Sequence, residues 1–486
     1  MAVGTTAATA LSTFNSELST FRPISHLPSP ISDATKSRLL VDAAGEGLSY
    51  DDLLARVRQV RRLGRVCRSA NLAELFAHLV AAMLHGRRLL LVDPQLTERE
   101  LQSLEGADDD DTGELPAADI ANATALIAAC AAGSEFELEL LTSGSTGLPK
   151  RVSHGLAGLT RALRTGPRHA HDVWGFCYNP THIAGVQVFL QAFLNGNALV
   201  NLFPLSPAEI ARQIRAQGVT HLSATPTFYR LLLGEGGTPF ERVQAVTLGG
   251  EASDPALLGR LRVAFPAARI RNLYASTEHG TLLTSEGDVF TIPESLRSAV
   301  KIEANTLRLH RSLLGEFHDA TPGPESGVVK PETGKLKAQG DGLKAEQTQR
   351  SAFSVSDVSV SAFSSDWYDT GDAVAIESEL PLRFRFVGRE RDWINIGGEK
   401  VNPSEIEAEL LQCPGVTAAR VFGRKSSVVG QLLAAEVVVR GETDEQAIRD
   451  FLAGRLAKIK VPRFIAFVSE LPMGRTGKRA AARGAS

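Results

Sequence analysis

The amino-acid sequence predicts an α/β protein, in which a large N-terminal domain of layered βαβ sheets precedes a small, mobile C-terminal α+β domain. The main indication is an alternation between Asn71 and Phe290, where segments of helical periodicity are followed by short apolar and β-branched runs. The clearest pairs are NLAELFAHLVAAML with RRLLLVD, PAEIARQIRAQG with VTHLSA, and PALLGRLRVAF with ARIRNLY. This alternation is typical of stacked βαβ units and largely parallel sheets.

A different pattern follows residue 388. It predicts a helix near Pro403–Leu411, strands in VTAARVFG and LLAAEVVVR, a helix in EQAIRDFLAGRLA and a last strand in FIAFV. We therefore expect an N-terminal domain over residues 1–388 and a C-terminal lid domain over residues 389–486. Residues 315–365 are rich in Ser, Gly, Lys and Thr and poor in large apolar residues, so they are expected to form a mobile surface insertion.

The composition limits the class of partner. A chain of 486 residues is too long for one hydrophobic core, which agrees with two or more domains. The 52 Lys and Arg residues nearly balance the 55 Asp and Glu residues, so there is no electrostatic reason to expect a nucleic acid or an acidic membrane as the main partner. A small-molecule ligand is favoured instead.

The cysteines and the apolar segments indicate the cellular compartment in which the protein is expected. The four cysteines lie far apart without a CxxC pair, so neither a zinc site nor a disulfide framework is predicted. They are Cys67, Cys130, Cys177 and Cys413. The chain starts without a basic segment or a long apolar run, and no stretch approaches the ~20 apolar residues that a membrane span needs. We therefore expect a soluble cytoplasmic protein.

The segment LLTSGSTGLPK at 140–150 is the strongest candidate for a ligand site. Its glycines let backbone N–H groups approach an anion, its hydroxyl residues offer further donors, and its lysine adds a positive charge. The candidate polyphosphate-binding residues are Thr142, Ser143, Gly144, Ser145, Thr146, Gly147 and Lys150. A Walker-type loop is disfavoured, because Arg151 follows the lysine and Pro149 lacks a backbone N–H. A helix-like run from Gly155 to Arg164 follows, which is the arrangement where α/β folds bind phosphates; an ordinary Ser/Gly turn is the alternative.

Two further polar segments are candidates for the same site. YASTEHG at 274–280 follows a predicted strand, where Thr277 could bind a phosphate and Glu278 a Mg²⁺ ion. A helix-capping Thr beside an exposed Glu is the alternative. YDTGDAV at 368–374 places Asp372 after a glycine, where its carboxylate could accept both ribose hydroxyls, although an ordinary hairpin has the same composition.

The last two segments lie near the C-terminus. The Gly-rich, charged run at 387–410 has the composition of a hinge and equally of a plain linker. LPMGRTGKRAA at 471–481 carries Lys478, a cation that could stabilise charge developing in a transition state, whereas terminal basic runs are usually solvated tails.

In this order and with this spacing, the five segments resemble those of the superfamily of adenylate-forming enzymes. These are acyl- and aryl-CoA synthetases, adenylation domains of peptide synthetases and luciferases, and the resemblance extends from about Ser49 to Arg479. It implies that a carboxylate attacks the α-phosphate of ATP to give an acyl-adenylate and pyrophosphate, and that a thiol then displaces AMP. It also implies a requirement for ATP, Mg²⁺ and a thiol, which is either CoA or the phosphopantetheine of an acyl carrier protein.

The resemblance implies roles around the nucleotide. The segment from Thr142 to Lys150 would hold the β- and γ-phosphates, Thr277 would contact the α-phosphate, and Glu278 would bind Mg²⁺. Asp372 and Arg389 would bind the ribose. The residues around the adenine would be Gly250, Glu251, Ala252 and Tyr274, with the tyrosine ring stacked on the base.

The resemblance also gives roles to the C-terminal part. Lys478 would bridge the carboxylate and the phosphate, because attack of one anion on another requires cations that suppress their repulsion. The small domain would then rotate about Arg391 to present a second face for the thiol. Three positions depart from the usual family pattern, namely Ala275 in place of Gly, Arg391 in place of Asp or Lys, and Asn395 in place of Lys.

The segment NPTHIAGVQVFL at 179–190 resembles the one that lines the acid pocket in this superfamily. The candidate acid-binding residues are His182, Ala184, Gly185, Val186 and Ser276. Amino-acid-activating members commonly have an aspartate here, and this segment has none, so we expect an aliphatic or aromatic carboxylic acid and an acyl- or aryl-CoA product. Loading of a carrier protein is the alternative within this class, and a nucleotide-binding protein or an ATP-hydrolysing enzyme the alternative outside it.

Overall fold

A computed structural model describes residues 38–42, 45, 47–102, 104, 114–117, 119–133, 135–143, 149–234, 237–318, 366–389, 392–396, 399–426 and 430–471. The strands, in chain order, are β1 (Arg38–Val41), β2 (Gly47–Ser49), β3 (Val66–Cys67), β4 (Arg88–Leu91), β5 (Glu137–Ser143), β6 (Pro149–Gly155), β7 (Val173–Phe176), β8 (Ala198–Asn201), β9 (His221–Ala224), β10 (Ala245–Gly249), β11 (Arg269–Ser276), β12 (Gly280–Ser285), β13 (Val289–Thr291), β14 (Val300–Glu303), β15 (Thr306–His310), β16 (Glu316–His318), β17 (Trp367–Glu379), β18 (Leu382–Arg389), β19 (Ile394–Ile396), β20 (Glu399–Val401), β21 (Val416–Ser426), β22 (Gly430–Val439) and β23 (Phe464–Phe467). The α-helices are α1 (Tyr50–Gln59), α2 (Leu72–Leu84), α3 (Glu98–Gln102), α4 (Ala123–Ala132), α5 (Leu156–Thr160), α6 (Ile183–Phe193), α7 (Pro207–Ala216), α8 (Pro226–Gly234), α9 (Pro255–Ala264), α10 (Pro403–Leu410) and α11 (Glu445–Ala453).

Eight strands form the central sheet, in the order β12-β11-β10-β9-β7-β8-β1-β2. The inner strands run parallel, and the edge strands β2 and β12 run antiparallel to their neighbours. The predicted helix–strand pairs are present as α2 with β4, α7 with β9, and α9 with β11. Helix α7 shows why the periodicity was informative, since Ser206 and Glu209 form a capping box at its start and Ile210, Ala211 and Ile214 are buried along one face. The predicted α/β fold class is confirmed.

A second sheet has the order β16-β6-β5-β4-β3. Strands β5 and β6 pair antiparallel from Glu137 opposite Gly155 to Ser143 opposite Pro149, so the Gly-rich segment connects a hairpin. The expected helix from Gly155 to Arg164 is shorter and begins only at Leu156. The physical reason is that β6 lies between β5 and β16 and pairs its backbone on both sides, so residues 149–155 are extended.

A third, antiparallel sheet has the order β13-β18-β17-β15-β14. The segment 368–374 lies inside the long strand β17 and does not form the alternative hairpin turn. Gly371 has φ +67° beside a register shift in the pairing with β15, a conformation that favours glycine. This irregularity leaves Asp372 paired directly opposite Arg389 on β18.

The described residues between 394 and 467 form two small sheets, β19-β20 and β21-β22-β23, with helices α10 and α11. The predicted helices and strands of this region are all present. They share a hydrophobic cluster of their own, with members from Ile394 to Ile465. Of the expected insertion at 315–365, residues 316–318 form β16 and pair with β6, while 319–365 lie outside the described residues. None of the helices among the described residues is both long and apolar enough to cross a membrane.

Candidate active site

A cavity of about 630 Å³ opens between the central sheet, helix α6 and strands β17 and β18. This volume lies in the range of sites for small ligands. Many of the residues singled out from the sequence line it, although they are distant along the chain. They are Thr142, His182, Ala184, Gly250, Tyr274, Ser276, Thr277, Glu278, Asp372 and Arg389.

Asp372 is a buried residue at the centre of a polar cluster at one side of this cavity. The residue is 7% exposed, and its Oδ1 accepts a hydrogen bond from Nε of Arg389 at 2.7 Å. Its Oδ2 accepts a second hydrogen bond from the hydroxyl of Tyr274, also at 2.7 Å. Burial, and then the Asp372 charge, raise the pKa of Tyr274 well above its ordinary value, so the phenol keeps its proton and donates it. Burial lowers the pKa of Arg389, but the neighbouring carboxylate outweighs this effect and raises it overall.

The ring of Tyr274 is held by two neighbours. It stacks on Phe386 of β18 with ring centres 4.5 Å apart and planes inclined by 22°. The ring of His279 lies 4.9 Å away and is tilted by 33°. The hydroxyl bond and these contacts together fix the orientation of Tyr274. Phe386 was not singled out from the sequence, and its alternation with Phe384 is typical of any strand.

The backbone of the loop after β11 is held by hydrogen bonds from β6 and from the residue before β16. The Thr277 carbonyl accepts a hydrogen bond from Nε2 of His154 at 2.6 Å, and the Glu278 carbonyl accepts one from the Gly315 amide at 2.8 Å. The Glu278 amide donates to Oγ of Ser276 at 3.2 Å. These bonds leave the side chains of Thr277 and Glu278 available at the cavity.

Two of these supports were not predicted, because they depend on contacts between distant segments. A Cβ atom at Gly315 would lie 2.5 Å from the Ser153 carbonyl oxygen and 2.6 Å from Cε1 of His154, so only glycine fits there. His154 is 6% exposed, and burial lowers its pKa, which keeps the ring neutral with the Nε2 proton directed to the Thr277 carbonyl.

Glu278 is suited to bind a metal ion. Among the residues that the structure describes, its carboxylate has neither a hydrogen-bond partner nor an ion-pair partner. A carboxylate oxygen without a protein partner, at the wall of a polar cavity, is the kind of ligand that Mg²⁺ prefers. The predicted metal role therefore fits the surroundings of this side chain.

Helix α6 forms the opposite wall. His182 is the residue before its first turn, and the helix presents Ala184, Gln187, Val188 and Gln191 to the cavity at intervals of three and four residues. His182 and Ala184 thus lie where the sequence placed them.

Gly185 and Val186 do not line the cavity, contrary to expectation. The helical rotation of about 100° per residue turns both away from it. A Cβ at Gly185 would lie 2.3 Å from the Asn179 carbonyl oxygen, so this glycine permits a close backbone approach. Val186 is 1% exposed and belongs to the hydrophobic core.

Two of the four residues expected around the adenine also lie elsewhere. Gly250, with φ +82°, lines the cavity. Oε2 of Glu251 instead accepts hydrogen bonds from the amide and the hydroxyl of Thr227, at 3.0 and 2.7 Å, and so anchors the start of α8. Ala252 is exposed and is not part of the cavity wall.

The remaining predicted residues lie at or beyond the limits of the described ranges. Lys150 pairs with Thr142 across the β5–β6 hairpin, which places its backbone beside a residue of the cavity wall. The residues whose structure or side chain lies outside the described part are Ser143, Gly144, Ser145, Thr146, Gly147, Arg391 and Lys478. Their assigned roles stay predictions.

Known proteins provide an independent comparison. Residues 132–337 match the family described as AMP-binding enzyme, and residues 405–478 match the AMP-binding enzyme C-terminal domain. The 2-succinylbenzoate–CoA ligase of Bacillus mycoides is 27% identical over 359 residues, which are 71% of this chain and 69% of that protein. The enzyme of that name from Geobacillus kaustophilus is 28% identical over 435 residues and 83% of each chain.

A solved structure shows the same fold. The o-succinylbenzoate CoA synthetase of Bacillus subtilis, in complex with an acyl-adenylate intermediate, superposes with a TM-score of 0.62 and 19% identity. The match covers 93% of this chain and 96% of that one. The two family matches, in this order along a chain with this fold and this cavity, establish that the protein belongs to the superfamily of adenylate-forming enzymes.

Proposed function

We propose that this chain is an ATP-dependent, AMP-forming ligase that joins an organic acid to coenzyme A. The observation that carries the proposal is one cavity, which has the Tyr274–Asp372–Arg389 cluster at one side and the wall of helix α6 at another. Such a cavity accommodates a nucleotide and an acid in contact with each other. The names of the two relatives reported above, both CoA ligases, support CoA as the thiol.

In this proposal, the residues around the nucleotide act by orientation and charge. Asp372 and Arg389 bind the ribose. The ring of Tyr274 stacks on the adenine, and Thr277 contacts the α-phosphate. Glu278 would hold Mg²⁺, which supplies positive charge to the phosphates when it is bound. The segment from Thr142 to Lys150 would supply backbone and hydroxyl donors to the β- and γ-phosphates.

The acid would occupy the part of the cavity beside α6. His182, Ala184 and Ser276 lie at its wall and would position the carboxylate for attack on the α-phosphate. Lys478 would reduce the repulsion between the two anions. The 179–190 segment has no aspartate to pair with an ammonium group, so the acid is an ordinary carboxylic acid rather than an amino acid.

A domain rotation about Arg391 would separate the two half-reactions, with 1–388 as the larger domain and 389–486 as the lid. The separate hydrophobic cluster from Ile394 to Ile465 supports a small domain that packs on its own. A cytoplasmic location is part of the proposal and is supported by the four cysteines, all of which are free thiols.

Acid-dependent exchange of labelled pyrophosphate into ATP tests the first half-reaction. The purified protein would be given Mg²⁺, ATP and a panel of aliphatic and aromatic acids, and we expect exchange with some of them. Offering CoA or a phosphopantetheinylated carrier protein, and measuring AMP and thioester, then identifies the acceptor. Thioester on the carrier alone would contradict the CoA assignment. Phosphate release without any acid would contradict the ligase and favour an ATP-hydrolysing enzyme.

A further inference from the structure

The floor of the cavity beside α6 is a polar row across three parallel strands. Ser223 on β9 is opposite Thr247 on β10, and Thr247 is opposite Arg271 on β11. All three side chains belong to the cavity wall. The guanidinium group of Arg271 therefore lies on the floor of the cavity. The part of the cavity nearer to Thr277 is lined by small and apolar residues.

This end of the cavity has an excess of positive charge. Arg164, Arg269 and Arg271 line it together with a single carboxylate, that of Glu286. Arg269 already donates to Oε1 of Glu286, from Nε at 2.6 Å. In the described part of the chain, the guanidinium groups of Arg164 and Arg271 have neither a hydrogen-bond nor an ion-pair partner.

The surroundings of Arg271 disfavour its charge. Burial lowers the pKa of Arg271, Arg269 and Arg164 lower it further, and Glu286 acts in the opposite direction without cancelling these effects. An anion bound here would relieve this repulsion, because charge-assisted hydrogen bonds to guanidinium are among the strongest in proteins.

A neutral donor in the same wall also lacks an acceptor. Trp174 lines the cavity, and its ring lies 4.8 Å from that of His221. Its Nε1 is buried and has no hydrogen-bond partner among the described residues. A buried N–H without a partner costs free energy unless a ligand or water accepts from it. Trp174, Arg164 and Arg271 thus provide donors that have no hydrogen-bond acceptor among the described residues.

The distance between Arg271 and the residues around Thr277 sets the length of a suitable ligand. Arg271 and Ser276 are five residues apart on β11, which corresponds to at most about 17 Å between their Cα atoms, because the strand is irregular between Tyr274 and Ala275. The α6 wall from His182 to Gln191 is about 13 Å long by the rise of a helix. An acid with its reacting carboxylate near Thr277 would reach the arginines only through a second group several bonds away.

We infer that the acid activated by this chain carries a second anionic group, which binds to Arg271 and Arg164 at the end of the cavity remote from Thr277. This inference rests on the ligase function proposed above and narrows its substrate class to elongated dicarboxylic acids. The second carboxylate accepts hydrogen bonds there, while the first reacts with ATP.

Matched pairs of acids test the inference. Glutarate, adipate, suberate, sebacate and a benzoate with a carboxylate arm would each be compared with the monoester of the distal carboxylate, by pyrophosphate exchange. We expect kcat/KM to be about 10- to 100-fold higher for at least one diacid than for its monoester. In Arg271→Gln the ratio of kcat/KM between the diacid and its monoester should fall to about 1, because the charge that distinguishes the two acids is lost. Arg262→Gln, an exposed arginine on α9 outside the cavity wall, is the control and should keep the preference.

Equal kcat/KM for diacids and monoesters in the natural protein would overturn the inference, as would an equal loss on both in Arg271→Gln. Failure of every acid in the exchange assay would instead contradict the proposed ligase function. In that case, direct binding of the diacids to the protein tests the inference separately. We expect the diacids to change the tryptophan fluorescence of the natural protein. In Arg271→Gln, the Kd for these diacids should rise at least 10-fold. Absence of diacid binding, or unchanged binding in Arg271→Gln, would overturn the anion site.

Discussion

Asp372 and Arg389 lie directly opposite each other on β17 and β18, and their side chains form an ion pair of 2.7 Å at the wall of the cavity. Because Asp372 also accepts from Tyr274, one carboxylate holds two side chains of the proposed nucleotide site.

Replacing this carboxylate should weaken nucleotide binding. In Asp372→Asn we expect the KM for ATP to rise about 10- to 100-fold, because the charge that orients Arg389 and accepts from the ribose is lost. Glu377→Gln is a matched control, since Glu377 pairs with Arg385 across the same two strands but outside the cavity. Steady-state kinetics with varied ATP measure the effect. An unchanged KM for ATP in Asp372→Asn would contradict the ribose role.

His154 is expected to act as a positioning residue for the loop that carries Thr277. His154→Ala leaves the Thr277 carbonyl without its donor, so we expect kcat to fall about 10-fold while the KM for CoA is unchanged. His154→Gln, which retains a side-chain donor, should recover part of this loss. His78→Ala, which removes a hydrogen bond to Glu74 on the surface of α2, is the control. Equal kcat in His154→Ala and the natural protein would exclude this role.

Glu278 should determine the magnesium requirement. In Glu278→Gln we expect the Mg²⁺ concentration for half-maximal exchange to rise at least 10-fold, because a neutral amide is a weaker ligand for a hard cation. Chelation of Mg²⁺ should abolish activity in both forms. Glu303→Gln, outside the cavity wall, should behave like the natural protein. A titration of pyrophosphate exchange with Mg²⁺ makes the comparison, and identical curves would refute the metal role.

His279 should make the fold sensitive to acid. It is 2% exposed, and burial lowers its pKa from 6.5 to about 3. Between these values the unfolded chain binds a proton that the folded chain does not, so the free energy of unfolding decreases as the pH falls below 6.5, by about 1.4 kcal/mol per pH unit. Urea unfolding at pH 7, 6 and 5 should show a smaller loss in His279→Phe than in the natural protein. His171→Gln, an exposed site, should leave the loss unchanged; the same loss in His279→Phe would show that this ring is not responsible.

Lys478 should be required for adenylate formation rather than for ATP binding. The sequence resemblance predicts that Lys478→Ala abolishes adenylate formation while ATP binding stays largely intact, because the lysine would stabilise charge that develops only during the reaction. Equilibrium binding of ATP and pyrophosphate exchange, measured on the same preparation, separate the two effects. Full exchange activity in the variant would contradict this role.

The sequence determined the features that follow from local patterns. Periodicity predicted α2, α7 and α9 with the strands after them, since burying one face of a helix or strand requires that spacing. The ordered polar segments predicted the family, and placed Glu278 and Asp372 at what proves to be one cavity. These features needed no knowledge of how distant segments meet.

The tertiary structure alone decided the rest. Residues 149–155 are extended because β6 pairs with β5 on one side and with β16, far along the chain, on the other. Glu251 anchors α8 rather than facing the cavity, and His154 supports the Thr277 loop, because tertiary packing brings each of these side chains to a partner in another segment. The cationic end around Arg271 likewise depends on the register of three parallel strands, which hydrogen bonds between segments fix and no local pattern specifies.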